Sequence, residues 1–286
     1  MKKECKLYKQ EKDKVRCLAC AHKCLINKGE TGICGVRKNI ENELILLVYG
    51  KVVSMAVDPI EKKPLYKFLP GTDIFSIGTV GCNFRCDFCQ NYDISQASKA
   101  GFILGEEIKP EEIVKKAISS GCNSIAYTYN EPAIFIEFVY DIAKLAKEKG
   151  LRNVLVTNGY MSEEAFEYVK EYIDAVNIDL KGNDLFYQKL CGAKLNPVLD
   201  TIRRFSKAGK HVEVTTLLIP EENDDDKEIE DIAKFIASVD KNIVWHISRF
   251  FPRYKMLDKD ITGKKSLKKA YEIGRKYLNH VYLGNV

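Results

Sequence analysis

No stretch of the 286 residues approaches the roughly 20 consecutive apolar residues of a membrane span. The N-terminus, "MKKECKLYKQEKDK", has no apolar segment and no cleavage site, so it does not read as a signal peptide. A cytoplasmic location is therefore the expectation. Nor is there an excess of charge of one sign. The 45 Lys and Arg stand against 40 Asp and Glu, a net +5, with acids near the lysines. That balance gives nucleic-acid binding little support. No G-x-G-x-x-G follows the first strand candidate, so a dinucleotide-binding fold is not supported. A solenoid repeat and low-complexity tracts are also missing. What is present is a globular composition, 45% apolar and 30% charged, long enough for one large domain or two ordinary ones.

Ten cysteines are present, and seven of them fall in two groups. In a cytosolic chain, clustered cysteines point to metal or cluster ligands rather than disulfides. Cys82, Cys86 and Cys89 lie in "GTVGCNFRCDFCQNYDIS" (78–95), with spacing C-x3-C-x2-C. A closed structural zinc site takes four ligands, and no fourth candidate follows Cys89 closely. In a [4Fe–4S] cluster, three cysteines leave one iron open to another ligand. A three-cysteine zinc site completed by a distant histidine is the alternative. The second group, Cys17, Cys20, Cys24 and Cys34, has spacing C-x2-C-x3-C-x9-C with His22 inside it. It reads as a zinc knuckle, as a second [4Fe–4S] cluster, or as free thiols in a packed loop. Gly29, Gly32 and Gly35 allow the tight turns a metal loop needs. Cys122 and Cys191 read as small buried hydrophobes.

From about residue 74, short β-branched runs alternate with helix-period segments. Strands are expected at 74–80, 123–129, 152–157, 174–180, 211–219, 242–250 and 280–284. Helices are expected near 110–119, 133–149, 162–172, 197–208, 225–238 and 265–278. Pro110 marks a first turn, Gly121 and Gly150 follow helix ends, and Ser162 opens another helix. This alternation predicts an α/β fold with a parallel sheet. Polar residues gather at the strands' C-terminal ends: Asn130 and Glu131, Thr157 and Asn158, Asp179 and Lys181, and His246. Barrel-like folds place their chemistry there, so a partial (β/α)6 TIM-like barrel is predicted for 74–286. Residues 1–73 read as a small Cys-rich appendage, with a β-hairpin over 43–57 about Gly50 and a Pro-punctuated connector over 58–71. The acidic run 221–232 reads as a helix start, and the basic run 262–276 as a solvated helix face.

Alternate residues of a strand share a face, so Asn177, Asp179 and Lys181 point the same way. A buried Asp and Lys need partners. They meet a ligand or form a structural ion pair with each other. His246 alone would read as a satisfied core residue. Its place among the strand ends makes it a site candidate.

The three-cysteine motif resembles that of the radical S-adenosylmethionine superfamily. The resemblance covers roughly 74–286 and is similar to the activating enzymes of glycyl-radical enzymes, such as pyruvate formate-lyase activating enzyme. It implies that Cys82, Cys86 and Cys89 hold a [4Fe–4S] cluster whose open iron is chelated by S-adenosylmethionine. Phe88 matches the aromatic near the adenine. "TYNEP" (128–132) stands at the Gly-Gly-Glu-Pro motif, with Glu131 toward the amino group and Asn130 beside it. "VTNG" (156–159) resembles Asp-Thr-Asn-Gly, bringing in Thr157 and Asn158. "IDLKG" (178–182) matches Asp-x-Lys, and "WHISRFFP" (245–252) places His246 at a ribose-contacting histidine.

Two motifs depart from the pattern. Tyr129 and Asn130 replace the two glycines, and Val156 replaces an Asp that helps hold a monovalent cation in the activating enzymes. Over the whole chain, "CLACAHKCLINKGETGICGVR", "GCNFRCDFCQNYDISQ" and "HISRFFPRYKM" resemble the radical enzymes of the AmmeMemoRadiSam group. That resemblance implies Memo-like or AMMECR-like partners. It also implies a Cys-containing tail beyond "YLGNV", which this sequence does not include. The implied reaction uses an external one-electron donor of flavodoxin or ferredoxin type, and hydrogen abstraction by a 5′-deoxyadenosyl radical. The substrate is a protein glycine or a small molecule. A non-catalytic iron–sulfur or zinc module is the reading from another class.

Overall fold

The computed structural model describes residues 2–286. Its centre is an eight-stranded sheet whose strands lie in sequence order. These are β1 (Ser54–Pro59), β2 (Asp73–Gly78), β3 (Ser124–Tyr127), β4 (Arg152–Thr157), β5 (Ala175–Asp179), β6 (His211–Leu218), β7 (Val244–Arg249) and β8 (Val281–Gly284). Strands β2 to β8 are all parallel, and β1 runs antiparallel to β2 as an edge strand. Among the described residues the sheet does not pair into a closed ring. Strand β1 lies N-terminal to the boundary expected at 73/74.

Six crossover helices connect the parallel strands: α1 (Pro110–Ser119), α2 (Ile136–Glu148), α3 (Glu163–Val169), α4 (Asn196–Lys207), α5 (Asp226–Val239) and α6 (Lys264–Gly274). Their starts follow local chemistry. Pro110 takes the first turn of α1, Ser162 Oγ accepts from Ala165 N before α3, and the Asp225 carboxylate accepts from Glu228 N before α5. Among the described residues no helix is long and apolar enough to cross a membrane.

The hairpin expected about Gly50 does not form. Glu43–Leu46 instead pairs antiparallel with Arg37–Ile40 and with Lys3–Glu4. The turn is made by Glu41 and Asn42, whose φ values of +51° and +66° match a two-residue left-handed turn that Asn tolerates well. Gly50 does turn the chain, at φ +72°, but Lys51–Val52 pairs with Glu106–Glu107 and Ser54–Pro59 joins the main sheet.

The segment expected as a connector is the floor of the half-barrel. Ile60 and Leu65 are fully buried against Ile74, Ala126, Val154 and Ala175 on the inner face. The Pro64 carbonyl accepts from Asn177 Nδ2 at 2.8 Å. The N-terminal strands are tied to the barrel by an ion pair with almost no exposure. The Arg37 guanidinium donates to both carboxylate oxygens of Glu137 on α2, and its Nε donates to the Ile134 carbonyl at 2.8 Å.

Candidate active site

The three-cysteine loop leaves the C-terminal end of β2. It turns at Gly81 with φ +98°, where a Cβ would come within 2.7 Å of Val36 Cγ1 and 3.0 Å of the Cys34 carbonyl. The far side of the loop is pinned to residues 190–191: Arg85 N donates to the Cys191 carbonyl at 3.0 Å, and Asp87 N to the Leu190 carbonyl at 3.1 Å. Cys82, Cys86 and Cys89 all face one cavity of about 670 Å³. Phe84 N donates to Cys82 Sγ at 3.4 Å, and Ser95 Oγ lies 3.2 Å from Cys89 Sγ. Burial pushes the Cys82 and Cys89 thiols up. Cys86 is raised first by contact with the Cys191 thiol and then by burial.

This donor set suits a cluster with an open iron. Three thiols line one large cavity, with local donors beside two of them. Among the described residues, no three His, Cys, Asp or Glu side chains converge tightly enough to grip a single ion.

Most of the expected cofactor residues meet at this cavity. Phe88, Asn130, Thr157, Asn158, Asp179, Lys181 and His246 line it. Lys181 Nζ pairs with Asp179 Oδ2 at 2.6 Å and lies 5.7 Å from the Phe88 ring centroid. Burial opposes the Lys181 charge, but Asp179, Cys86, Cys191 and Tyr187 together outweigh it, so the ammonium is held well above its usual range. Asn158 Nδ2 donates to Asn83 Oδ1 at 2.7 Å and lies 3.8 Å from Cys82 Sγ. Asn130 Nδ2 donates to Thr79 Oγ1 at 3.0 Å and the Gly81 carbonyl at 2.9 Å, holding the start of the cysteine loop.

Glu131 is the exception. It lies behind the cavity wall, fully buried, and accepts from Ala133 N, Thr157 Oγ1 and Asn158 N at 2.9, 2.8 and 2.7 Å. Its carboxylate braces the Thr157–Asn158 turn. Burial pushes its carboxyl up to about 7, against those three hydrogen bonds.

His246 is oriented by Glu213, which the sequence reading did not single out. His246 Nε2 is 2.6 Å from Glu213 Oε2, and Tyr66 meets the imidazole edge-on at 4.6 Å between centroids. Glu213 also accepts from Tyr66 N, Lys67 N and His211 Nε2, which fixes the barrel floor to β6. The signal was available: "HVEVTT" puts an acid between two valines in a strand of a parallel sheet. Cys191 is buried in the core, as read from the sequence, and its thiol also lies against Cys86.

Tyr129, at the first replaced glycine, adopts φ +70°, a left-handed conformation that disfavours a side chain. Its ring lies beneath Lys63 Nζ at 4.7 Å, and its hydroxyl donates to Asp58 Oδ2 at 3.3 Å. Lys63 Nζ in turn pairs with Asp58 Oδ2 at 2.8 Å. This unit gives the lower cavity a polar wall.

The N-terminal cysteines Cys17, Cys20, Cys24 and Cys34 line a second, narrow cavity of about 10 Å³, joined by His22, Arg37 and Asn83.

The Methanocaldococcus jannaschii protein MJ0808 is 44% identical over 97% of this chain and 83% of its own length. Pyruvate formate-lyase-activating enzyme of Clostridium pasteurianum is 28% identical over 56% of this chain and 67% of its own. Among solved structures, Streptococcus suis SuiB bound to S-adenosylmethionine superposes with a TM-score of 0.57 at 13% identity. That match covers 73% of this chain and 49% of SuiB, and it is a likeness of fold. The family model described as the Radical SAM superfamily matches residues 76–236, more than half of the sequence, and the chain belongs to that superfamily.

Proposed function

We propose that Cys82, Cys86 and Cys89 hold the [4Fe–4S] cluster of this superfamily's chemistry, and that the adjoining cavity receives S-adenosylmethionine and a substrate together. The observation that carries this reading is the convergence of the three thiols, Lys181, Asp179, Asn158 and His246 on one cavity. When bound, the cluster and S-adenosylmethionine supply a 5′-deoxyadenosyl radical that abstracts a hydrogen atom. The chain's own groups position and shield. Lys181 faces the cavity as an ammonium able to meet a carboxylate, and Asp179 is available to a hydroxyl or an ammonium. Glu131 keeps Thr157 and Asn158 in place from behind, and Glu213 fixes the ring of His246. The floor segment and the buried β3 and β4 close the lower end to water.

The substrate in this reading is a small molecule or a modified residue. Tyr129 and Lys63, both held by Asp58, furnish the cavity with polar contacts where the activating-enzyme pattern has glycine. A protein glycine remains the second reading, favoured by the activating-enzyme relative. A flavodoxin- or ferredoxin-type donor, Memo-like or AMMECR-like partners and a cytoplasmic location complete the proposal. The N-terminal cysteines belong to it as a second metal site, zinc or a second cluster.

Electron paramagnetic resonance on anaerobically reconstituted, reduced protein tests the reading. A [4Fe–4S]⁺ signal that changes shape on adding S-adenosylmethionine is expected. A cluster signal indifferent to S-adenosylmethionine would reduce the chain to an electron carrier.

A further inference from the structure

The two cysteine groups are far apart in sequence and adjacent in the fold. The Cys34 carbonyl packs on Gly81, next to Cys82, and accepts from Ser98 Oγ at 2.7 Å. The Lys99 ammonium, which donates to the Phe84 carbonyl at 2.5 Å, lies within electrostatic reach of both Cys82 and Cys34.

Asn83 stands between the groups. It follows Cys82 directly and is 1% exposed. Its main-chain carbonyl is 3.0 Å from Nε2 of His22, which sits between Cys20 and Cys24. Its Oδ1 accepts from Asn158 Nδ2 at 2.7 Å. The Asn158 amide is itself fixed, because Tyr160 N donates to its Oδ1 at 2.9 Å. The orientation of the Asn83 amide follows, and its Nδ2 is left as a buried donor with no partner among the described residues. Such a group is costly unless something accepts from it. Asn83 lines the narrow N-terminal cavity, and the four cysteines around that cavity are the acceptors at hand.

A neutral thiol is a weak acceptor, whereas a metal-bound thiolate is a strong one. Four soft thiolates select zinc or iron. The cavity volume of about 10 Å³ matches a single atom-sized guest rather than a cubane. As they stand the four sulfurs are not gathered tightly enough to grip an ion; rotation of cysteine side chains moves sulfur without moving backbone, and that is what closing on an ion asks of the four.

We propose that Cys17, Cys20, Cys24 and Cys34 take one thiophilic ion, and that Asn83 is the positioning residue joining it to Cys82. In this arrangement Nδ2 donates to a metal-bound sulfur while Oδ1 and Asn158 hold the Cys82 side. The inference rests on the second metal site proposed above, and it makes that site a determinant of the radical loop rather than a separate knuckle.

Cobalt(II) is the probe. A chain carrying Cys82→Ala, Cys86→Ala and Cys89→Ala together retains only the N-terminal group, so this arm stands apart from the radical reading. It should bind about one cobalt with tetrahedral thiolate bands, and Cys17→Ser should abolish them. Should the triple variant not fold, the parent chain with and without Cys17→Ser reads the same bands. Asn83→Ala should weaken cobalt retention against a chelator about tenfold to a hundredfold, as loss of a hydrogen bond to a metal ligand does. In reconstituted protein, Asn83→Ala and Cys17→Ser should each shift the reduction potential of the radical cluster, and the double variant should shift it no further than one alone. No cobalt bands, or a second iron–sulfur cluster at the N-terminal group, would overturn the single-ion site. Unchanged cobalt retention in Asn83→Ala, or additive potential shifts, would overturn the joining role.

Discussion

Glu213→Gln should destabilise the protein more than its single-atom change implies. The carboxylate is fully buried and meets four donors. Oε1 accepts from Lys67 N at 2.8 Å and His211 Nε2 at 2.9 Å, and Oε2 from Tyr66 N at 3.0 Å and His246 Nε2 at 2.6 Å. A glutamine replaces one oxygen with an amide N–H₂. A histidine can change tautomer and accept, but a backbone N–H cannot. Whichever way the amide turns, one backbone donor of the barrel floor is left facing another donor. An unpaired buried donor costs about 1–3 kcal/mol, and losing bonds to an ionised acceptor adds to it, for a total of about 2–4 kcal/mol. At this chain length that lowers Tm by roughly 4–10 °C.

The acid limb offers a second readout. Burial disfavours the Glu213 charge, but hydrogen bonds from His211, His246, Tyr66 and Lys67 outweigh it and hold the carboxyl down to about 2, against an ordinary 4.5. A depressed carboxyl stabilises the fold above its ordinary value and loses that contribution as pH falls from 4.5 toward 2. The contribution is about 3 kcal/mol. Calorimetry of parent and variant at pH 7 and down the acid limb reads both effects. A variant Tm within about 1 °C of the parent, with the same acid slope, would refute the reasoning.

Lys181→Met keeps length and removes charge. It should weaken S-adenosylmethionine binding about tenfold to a hundredfold, since a charge-assisted hydrogen bond is worth about 1.5–3 kcal/mol. Equal affinity in a titration of reconstituted protein would mean that Lys181 and Asp179 serve only each other. Arg37→Met strands the Glu137 carboxylate in the interior and should cost about 3–5 kcal/mol in denaturant unfolding. A loss below about 1 kcal/mol would mean that the N-terminal strands are not held through this pair. At Tyr129, Gly should be better tolerated than Ala by about 1 kcal/mol, because φ +70° suits glycine. Equal stability of the two variants by calorimetry would contradict a strained backbone.

The half-barrel was legible because its signals are local. "RNVLVT" reads as a strand over 152–157 and forms Arg152–Thr157, and Pro110 starts its helix where a proline can. The strand-end polar residues followed from the same periodicity, and the cysteine loop from its spacing. What was not legible depends on partners distant in the chain. The strand over 54–59 needed β2 to pair with, so a single sequence made it half of a hairpin about Gly50. The floor segment reads as a mere connector until Glu213, some 147 positions away from Tyr66, accepts its backbone N–H groups. Glu131 was identified as a site residue, but its turn toward Thr157 and Asn158, away from the cavity, is a matter of three-dimensional packing. The contact of Cys191 with Cys86 likewise exists only because residues 190–191 return to the loop.

The most direct test of the central claim is product formation by the three loop variants. Reduced, reconstituted parent protein incubated with S-adenosylmethionine should release 5′-deoxyadenosine and methionine. Cys82→Ala, Cys86→Ala and Cys89→Ala should each release none above background, because each removes a ligand from the one cluster that leaves an iron open. Near-parental 5′-deoxyadenosine from any of the three variants would contradict the assignment.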